Sequence, residues 1–402
     1  MKIVTDNKAI QSELASLGKC MQDNGAWIHP DITIAYTEET GLSIQMERTI
    51  NPRDFIIKVP VEQLIPYELL NMAVKGNDFV IDPDKDRLSP VQIDLAERMV
   101  EIYNLTNKVE FHKSENPWIL FREAPELLDL LLEAISWSPS IEYYSTFLHD
   151  REGAASMDQF VLDSFSSSRF LGQKIHGGEE TVQVIMPIID FLNHDYRGSG
   201  FGSPTNPGET QWIGVTCAQP FISRNECYAS YGTNDALNSF LIYGFIDATA
   251  PYIRSIPLEI PVGDLGKITV YSLNMKNISS PPKQLQDLHQ FMPKLKKDKD
   301  GAVHLSHLFV TVPPFPHALR RILRNVIATF CGNSVSEDFI LEQTRAAERL
   351  VVEKNMAFYR EILKKIDKNK TAPSGLIDRA RHVATIQLSK LGNYHFDGPS
   401  IS

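Results

Sequence analysis

Cysteine is scarce: Cys20, Cys217, Cys227 and Cys331 are the only four in 402 residues, and no two form a C-x-x-C pair. That spacing excludes a zinc knuckle and a disulfide framework, and it fits a reducing compartment. Long apolar runs are also missing, with no stretch of about 18 apolar residues to cross a bilayer. The polar N-terminus has no signal-peptide core. A cytoplasmic chain without a membrane partner is expected. Basic charge is in deficit, Lys+Arg 40 against Asp+Glu 50 for a net −10, so no direct nucleic-acid binding is expected. The chain has no tandem repeat, no G-x-S-x-G nucleophile motif, no P-loop and no dinucleotide fingerprint. The lysine-rich run Lys294 to Lys299 reads as a solvated loop, because a short run of mixed charge cannot pack.

What remains is the composition of an ordinary globular protein, 43% hydrophobic and 22% charged, long enough for two or three domains. A monomer is expected. Residues 1–30 read as a helix, and Ile32 to Ile44 as strand, ending in a turn at Gly41. Asn51-Pro52 marks a turn, and Phe55 to Val59 is a buried strand closed by Pro60. From 65 to 170 the period is mostly helical. Leu95, Met99, Ile102 and Tyr103 share a face, Leu127 to Ile135 is an apolar stretch, and Ser166-Ser167-Ser168 leads to Arg169-Phe170. Asp82-x-Asp84-x-Asp86 invites a calcium loop. Arg87 replaces the glycine such a loop needs and Ile93 its bidentate glutamate, so no metal site is assigned.

The informative stretch runs from Met186 to Asp247. Val182 to Ile189 is an apolar strand entering Asp190-Phe191-Leu192-Asn193-His194. Asparagine can both donate and accept, and a neutral histidine can tie two backbone segments. Gly198-Ser199-Gly200-Phe201-Gly202 precedes Pro204 and Pro207 rather than a helix, so it reads as a mobile loop. Ile213, Val215 and Cys217 alternate as a strand. Asn225 takes a turn position, tolerating the left-handed conformation, and Glu226 to Ser230 is another strand. Then come Tyr231-Gly232-Thr233-Asn234, a helix capped by Thr233 or Asn234 with Leu237, Phe240 and Leu241 inside, and Tyr243-Gly244-Phe245, where Gly244 suits the helix end.

Beyond 250, Ile256 to Val270 suggests strands and 274–303 a loop-rich connection. Leu319, Ile322, Leu323, Val326, Ile327 and Phe330 form a helical stripe closed by Gly332. Ser334 and Glu337 read as a capping box for a long helix carrying Ile340 to Ile362, and Ile377, Ala380, Ala384, Leu388 and Leu391 mark one more.

The Asn193-His194 pair followed by Tyr231 and Tyr243-Gly244-Phe245 resembles the C-terminal half of a SET domain, in particular the rubisco large-subunit methyltransferase branch of protein lysine methyltransferases. The resemblance implies an α+β fold of small β-sheets with a pseudoknot, a helical insert and an all-helical C-terminal lobe that holds a protein substrate. Residues 1–64 would be the first part of the SET domain, 65–170 the insert, 171–255 the second part with the active site, and 256–402 the mostly helical lobe. It implies S-adenosyl-L-methionine as cofactor, Tyr231 as the catalytic residue, and cofactor contacts from Gly41, Arg169, Asp190, Asn193, His194, Tyr231, Tyr243 and Phe245. Arg169 lies 21 residues before Asp190, a family-like spacing for a carboxylate-binding arginine; a guanidinium suits that task by its paired donors. Only Gly41 stands where the family has two glycines. His194 is expected to be structural, and Leu171 and Tyr243 to meet the substrate.

Each of these residues has a plainer reading: a surface arginine, core tyrosines, a leucine filling space. Two functional alternatives also stay open, a histidine methyltransferase and a silent SET scaffold that only binds a partner. Some relatives that modify histidine carry a polar residue where Leu171 stands, and an apolar Leu171 favours the stem of a lysine.

Overall fold

A computed structural model describes residues 1–46, 54–122, 124–134, 147, 156–174, 181–202, 211–216, 226–271, 282–299, 302–315, 317–332, 335–369 and 374–396. The expectations placed on Asn51-Pro52, Ile135, Pro204, Pro207, Cys217, Asn225 and Ser334 lie outside these residues. The chain forms two compact units, Met1–Glu115 with His149–Gly232, and Asn116–Leu148 with Thr233–Ser402. Small sheets mix with helices, and the C-terminal end is helical, so the fold is α+β. No helix among the described residues is long and apolar enough to cross a membrane.

The first unit opens with the short strand Lys2–Val4, parallel to Ile32–Thr37, and then helix Lys8–Asp23. Asn7 caps it, its side-chain oxygen accepting from Ala9 and Ile10 N–H at 3.0 and 3.1 Å. Ile10, Leu14, Leu17 and Met21, spaced by threes and fours, are fully buried. Next, the single strand expected from Ile32 to Ile44 is a hairpin, Ile32–Thr37 against Gly41–Met46. Gly41 supplies the positive φ of +70° at its turn. Phe55–Pro60 is an inner strand of a four-stranded sheet, between Trp212–Thr216 and Trp27–Ile28. That position explains why its Ile56, Ile57 and Val59 are all buried, each contributing about 1.5–3 kcal/mol.

Short strands, not helix, fill the start of the expected insert. Ala73–Lys75 and Asp78–Val80 turn back at Gly76, φ +67°. Helices begin at Pro90–Leu105, where Ser89 and Gln92 form a capping box and Leu95, Met99, Ile102 and Tyr103 make the buried face. In the acidic run, Asp84 Oδ1 accepts from the N–H groups of Asp86 and Arg87 at 3.1 and 3.2 Å, which makes it a turn. Lys108–Ser114 follows, and Met157–Arg169 packs on it. The serine run is the last turn of that helix: Ser166, Ser167 and Ser168 each donate to the carbonyl three residues back at 3.0 Å. Leu171–Lys174 then pairs with Thr181–Ile185, which also pairs with Ile65–Pro66.

The unit closes with a parallel pair, Asn193–Ser199 beside Tyr228–Ala229. Asn193 stands opposite Tyr228 and His194 opposite Ala229, while Ser199 returns to Ala229 after an irregularity. Gly198 is therefore part of the ladder region and not a mobile loop. A Cβ on it would lie 2.6 Å from the Ala229 carbonyl carbon and 2.8 Å from the Ala229 and Asp195 oxygens. Only glycine permits that backbone approach.

In the second unit, Tyr252–Arg254 pairs with Phe309–Thr311, and a four-stranded sheet runs Leu258–Pro261, Lys267–Val270, Val303–Leu305, Leu295–Lys297. The lysine run expected to be loop is partly that last strand, an edge whose exposed Lys296 and Lys297 discourage further pairing. Helices Ala318–Cys331, Glu337–Lys368 and Ser374–Gly392 follow. Gly332 ends the first of these as expected, and the long one is capped by Ser336, whose hydroxyl accepts from Phe339 N–H at 3.2 Å. In the last helix the buried face runs through Leu376, Ala380, Val383, Ala384 and Leu391.

Asp235, rather than Thr233 or Asn234, caps helix Ala236–Tyr243. Fully buried, its carboxylate accepts from Asn238 N, Asn238 Nδ2, Arg254 N and Gln387 Nε2 at 2.7 to 2.9 Å. A hydroxyl or amide could not accept so many bonds at once.

Gly198→Ala is expected to cost at least about 1–3 kcal/mol, the usual range for overpacking, because the methyl meets backbone that cannot rotate away. Urea unfolding of the variant checks this; an unchanged midpoint would contradict the close approach.

Candidate active site

The site grows from a strained turn in the first unit. Ile188 has φ +62° and ψ −44°, a conformation that a β-branched residue adopts only when its surroundings compel it. The N–H of Ile189 donates to the Pro187 carbonyl at 2.7 Å, closing a three-residue turn. Such strain costs on the order of 1–3 kcal/mol. Full burial of Ile188 among apolar neighbours offsets it. The turn bends the apolar strand sharply into Ile189–Phe191 and delivers Asp190, Asn193 and His194 within one short segment.

Asp190 and Arg169 meet directly, a contact that the sequence reading did not anticipate. Arg169 Nη1 lies 3.3 Å from the Asp190 carbonyl oxygen and 3.5 Å from Oδ2. Tyr103 donates its hydroxyl to the same Oδ2 at 3.0 Å. Burial raises the Asp190 carboxyl above its usual range, against the opposing pull of Arg169, Tyr103 and Lys108. Burial works against the Arg169 charge too, but Asp190, Tyr231 and Tyr103 outweigh it and hold the guanidinium above its ordinary value.

Two residues of helix Lys108–Ser114 join this cluster. Lys108 is half-buried as a residue, and burial of its amine, reinforced by Arg169 and opposed by Asp190, brings its pKa down to about 7. One turn on, the buried His112 is pushed down to about 3 by burial and then by Arg169 and Lys108, so it is neutral; its Nδ1 lies 2.8 Å from Ser164 Oγ. The cluster thus holds two basic groups against one carboxylate. Among the described residues Lys108 has no hydrogen bond or ion pair, and Arg169 engages through Nη1 alone. That donor set suits an incoming carboxylate.

The parallel pair builds the other half. His194 Nδ1 accepts from Tyr231 N–H at 3.1 Å, and the two rings lie 5.1 Å apart. His194 therefore ties two backbone segments, the structural part expected of it. The Tyr231 hydroxyl donates to the Leu192 carbonyl, which fixes the phenol over the motif. Asn193 Nδ2 donates to Glu226 Oε1 at 2.8 Å and to the Leu42 carbonyl at 3.2 Å. Gly41 immediately precedes that carbonyl, so the hairpin turn touches the site through its neighbour.

Leu171, two residues past Arg169, opens its strand half-buried, while the intervening Phe170 packs on Tyr67 with ring centroids 4.4 Å apart. Tyr243 and Phe245 belong to the second unit, where they stack on each other at 5.7 Å around Gly244, φ +81°. Arg379 donates to the Gly244 carbonyl there.

Sequence reading missed four contributors: Tyr103, Lys108, His112 and Glu226. Tyr103 reads in sequence only as one apolar position on a helical stripe, its hydroxyl at the stripe's edge. Lys108 and His112 share a face at i,i+4, a signal too common to single them out. Among the described residues no cluster of His, Cys, Asp and Glu is placed to hold a metal ion.

No protein-family model and no curated protein matches the sequence. Among solved structures the chain is similar to the SET domain of LSMT bound to lysine and AdoHcy, at TM-score 0.44 and 14% identity over 96% of this chain and 90% of that one. It is similar too to Rubisco LSMT bound to AdoMet, TM-score 0.40, 14% identity, 94% and 90%, and to Rubisco LSMT bound to sinefungin and monomethyllysine, TM-score 0.41, 15% identity, 94% and 90%. These likenesses are weak, and the residues of the first unit carry the functional reading themselves.

The buried amine of Lys108 makes stability depend on pH. Below about 7 the folded and unfolded chains both carry the charge, and the cost of burying it falls fully on stability. Between there and the ordinary lysine value of ~10.4 the unfolded chain binds more protons, so stability rises with pH. Lys108→Met should melt higher than the native chain at pH 6, with the gap narrowing toward pH 10. A gap that does not change with pH would contradict an enclosed amine.

Proposed function

We propose that the first unit binds S-adenosyl-L-methionine and transfers its methyl group to a lysine side chain of a protein. The observation that supports this best is the convergence of Asn193, His194 and Tyr231 through one parallel strand pair, with Asp190 on the short segment just before Asn193 and Arg169 reaching it from the end of helix Met157–Arg169. The donor set fits the cofactor: Arg169 and Lys108 for a carboxylate, Asn193 and Asp190 for the polar groups beside it.

When bound, the cofactor supplies a methyl already activated on a sulfonium. The chain's work is then alignment and exclusion of water, since a neutral amine needs mainly to be held in line with the bond that breaks. The Tyr231 hydroxyl, fixed by the Leu192 carbonyl, orients the incoming amine, and carbonyl oxygens at the same turn receive its N–H groups. An ammonium of ordinary pKa, ~10.4, loses its proton more readily on entering apolar surroundings. Leu171 offers the methylene stem an apolar surface and gives an imidazole nothing to bond, which favours lysine over histidine as acceptor. The protein is taken to act as a cytoplasmic monomer.

Two variants test the assignment. Tyr231→Phe should lose most turnover while cofactor affinity stays within a few fold, and it also leaves the Leu192 carbonyl unsatisfied, costing ~1–3 kcal/mol of stability. Unchanged turnover would remove Tyr231 from the chemistry. Arg169→Ala should weaken S-adenosylmethionine binding about tenfold or more, as charge-assisted bonds are worth roughly 1.5–3 kcal/mol each. Equal dissociation constants by calorimetry would show that Arg169 is not the carboxylate clamp. A native chain that binds no cofactor at all would favour the scaffold reading.

A further inference from the structure

The carboxamide of Asn193 is constrained more tightly than a ligand contact requires. Its nitrogen faces two oxygens, Glu226 Oε1 at 2.8 Å and the Leu42 carbonyl at 3.2 Å. Both of those oxygens can only accept, so the group between them must be the NH2, and both of its protons are used. A turned amide would set Oδ1 against two oxygens and lose both bonds. Oδ1 therefore faces away from them, and among the described residues it has no partner.

Glu226 is itself held. Its other oxygen accepts from the Tyr228 hydroxyl at 2.8 Å. Its backbone bridges to Gln45, and the next residue, Cys227, donates to the Ile44 carbonyl at 2.7 Å. Tyr228 stands opposite Asn193 in the parallel register. The backbone pairing fixes the residue beside the hairpin Ile32–Met46, and the Tyr228 hydroxyl holds its carboxylate toward Asn193.

We propose that Glu226 is a positioning residue which locks the Asn193 amide with its oxygen outward, so that position 193 accepts a hydrogen bond from the bound molecule and cannot donate one. The ligand group it selects bears an N–H or O–H. An acceptor at that place, such as a carboxylate or carbonyl oxygen, would be repelled. This deepens the cofactor reading above and rests on it for the identity of the ligand, but the lock stands on the ligand-free geometry alone.

The test has two arms. In the ligand-free protein, the Asn193 side-chain NH2 resonances, found by their loss in Asn193→Asp, should show slow hydrogen exchange. Glu226→Ala should abolish that protection and Glu226→Gln should keep it, since a glutamine side chain can still present an oxygen to the amide. Rapid exchange in the native chain overturns the lock. The second arm is calorimetry with S-adenosylmethionine. Glu226→Ala should bind about fivefold to tenfold more weakly, the weight of one oriented neutral hydrogen bond. Asn193→Asp alone, with two carboxylates facing, should bind at least as poorly. Asn193→Asp with Glu226→Gln reverses the donor and acceptor of the Glu226 bond and keeps an outward oxygen, but still sets an oxygen against the Leu42 carbonyl, so it should bind measurably tighter than Asn193→Asp alone and short of the native affinity. No recovery, with the double variant folded by circular dichroism, overturns the acceptor role. Slow exchange in a native chain that binds no S-adenosylmethionine would keep the lock and reject the cofactor reading.

Discussion

The parallel pair that gathers Asn193, His194 and Tyr231 depends on one backbone approach, Gly198 against Ala229. A parallel pair this short has few ladder bonds of its own, so its register has to be set by what surrounds it. Gly198 lets the strands close, Ser230 N–H donates to the Ser199 carbonyl at 2.8 Å, and His194 accepts from Tyr231 N–H one step along. Once that register is set, Asn193, His194 and Tyr231 have no choice of neighbours. Residues more than thirty positions apart in sequence become a single polar surface.

The second organising feature is electrostatic. Asp190 draws Arg169, Tyr103 and Lys108 to one buried spot. Two basic groups share one carboxylate there, and burying charge in such a cluster is expensive, which is why burial brings the Lys108 amine down to about 7. The neutral His112 behind the cluster adds no further charge, consistent with the depression of its pKa by burial and by both cations. The strained turn at Ile188 follows the same logic: stability is given up where geometry matters.

Much of this was legible in the sequence, for identifiable reasons. The helical stripe of Leu95, Met99 and Ile102 is buried as expected, because an apolar face at period 3.6 has no other use, whereas in the last helix the face turns by one position from Ile377 to Leu376. Arg169 and Asp190 were placed in one site by the resemblance alone, without their mutual contact, while the tie that His194 makes between backbone segments follows from its side-chain chemistry. Caps were misplaced by one or two residues: Asp235 serves where Thr233 or Asn234 was expected, and Ser336 caps the long helix. Several residues there can cap, and only tertiary contacts such as Arg254 and Gln387 choose between them. Gly198 looked like a flexible tip because nothing local in the sequence reveals that Ala229 lies against it. Glu226 was invisible for the same reason, since its partner Asn193 comes from a distant segment.

The central claim is that this surface transfers a methyl group from S-adenosylmethionine to protein. Incubating the purified chain with isotopically labelled cofactor and cell lysate, then locating the label by tandem mass spectrometry, tests it most directly. The account predicts label on lysine side chains of one or a few proteins, absent when the chain is omitted. Label on histidine would contradict the acceptor assignment, and no label above the omission control would contradict the methyl-transfer function itself.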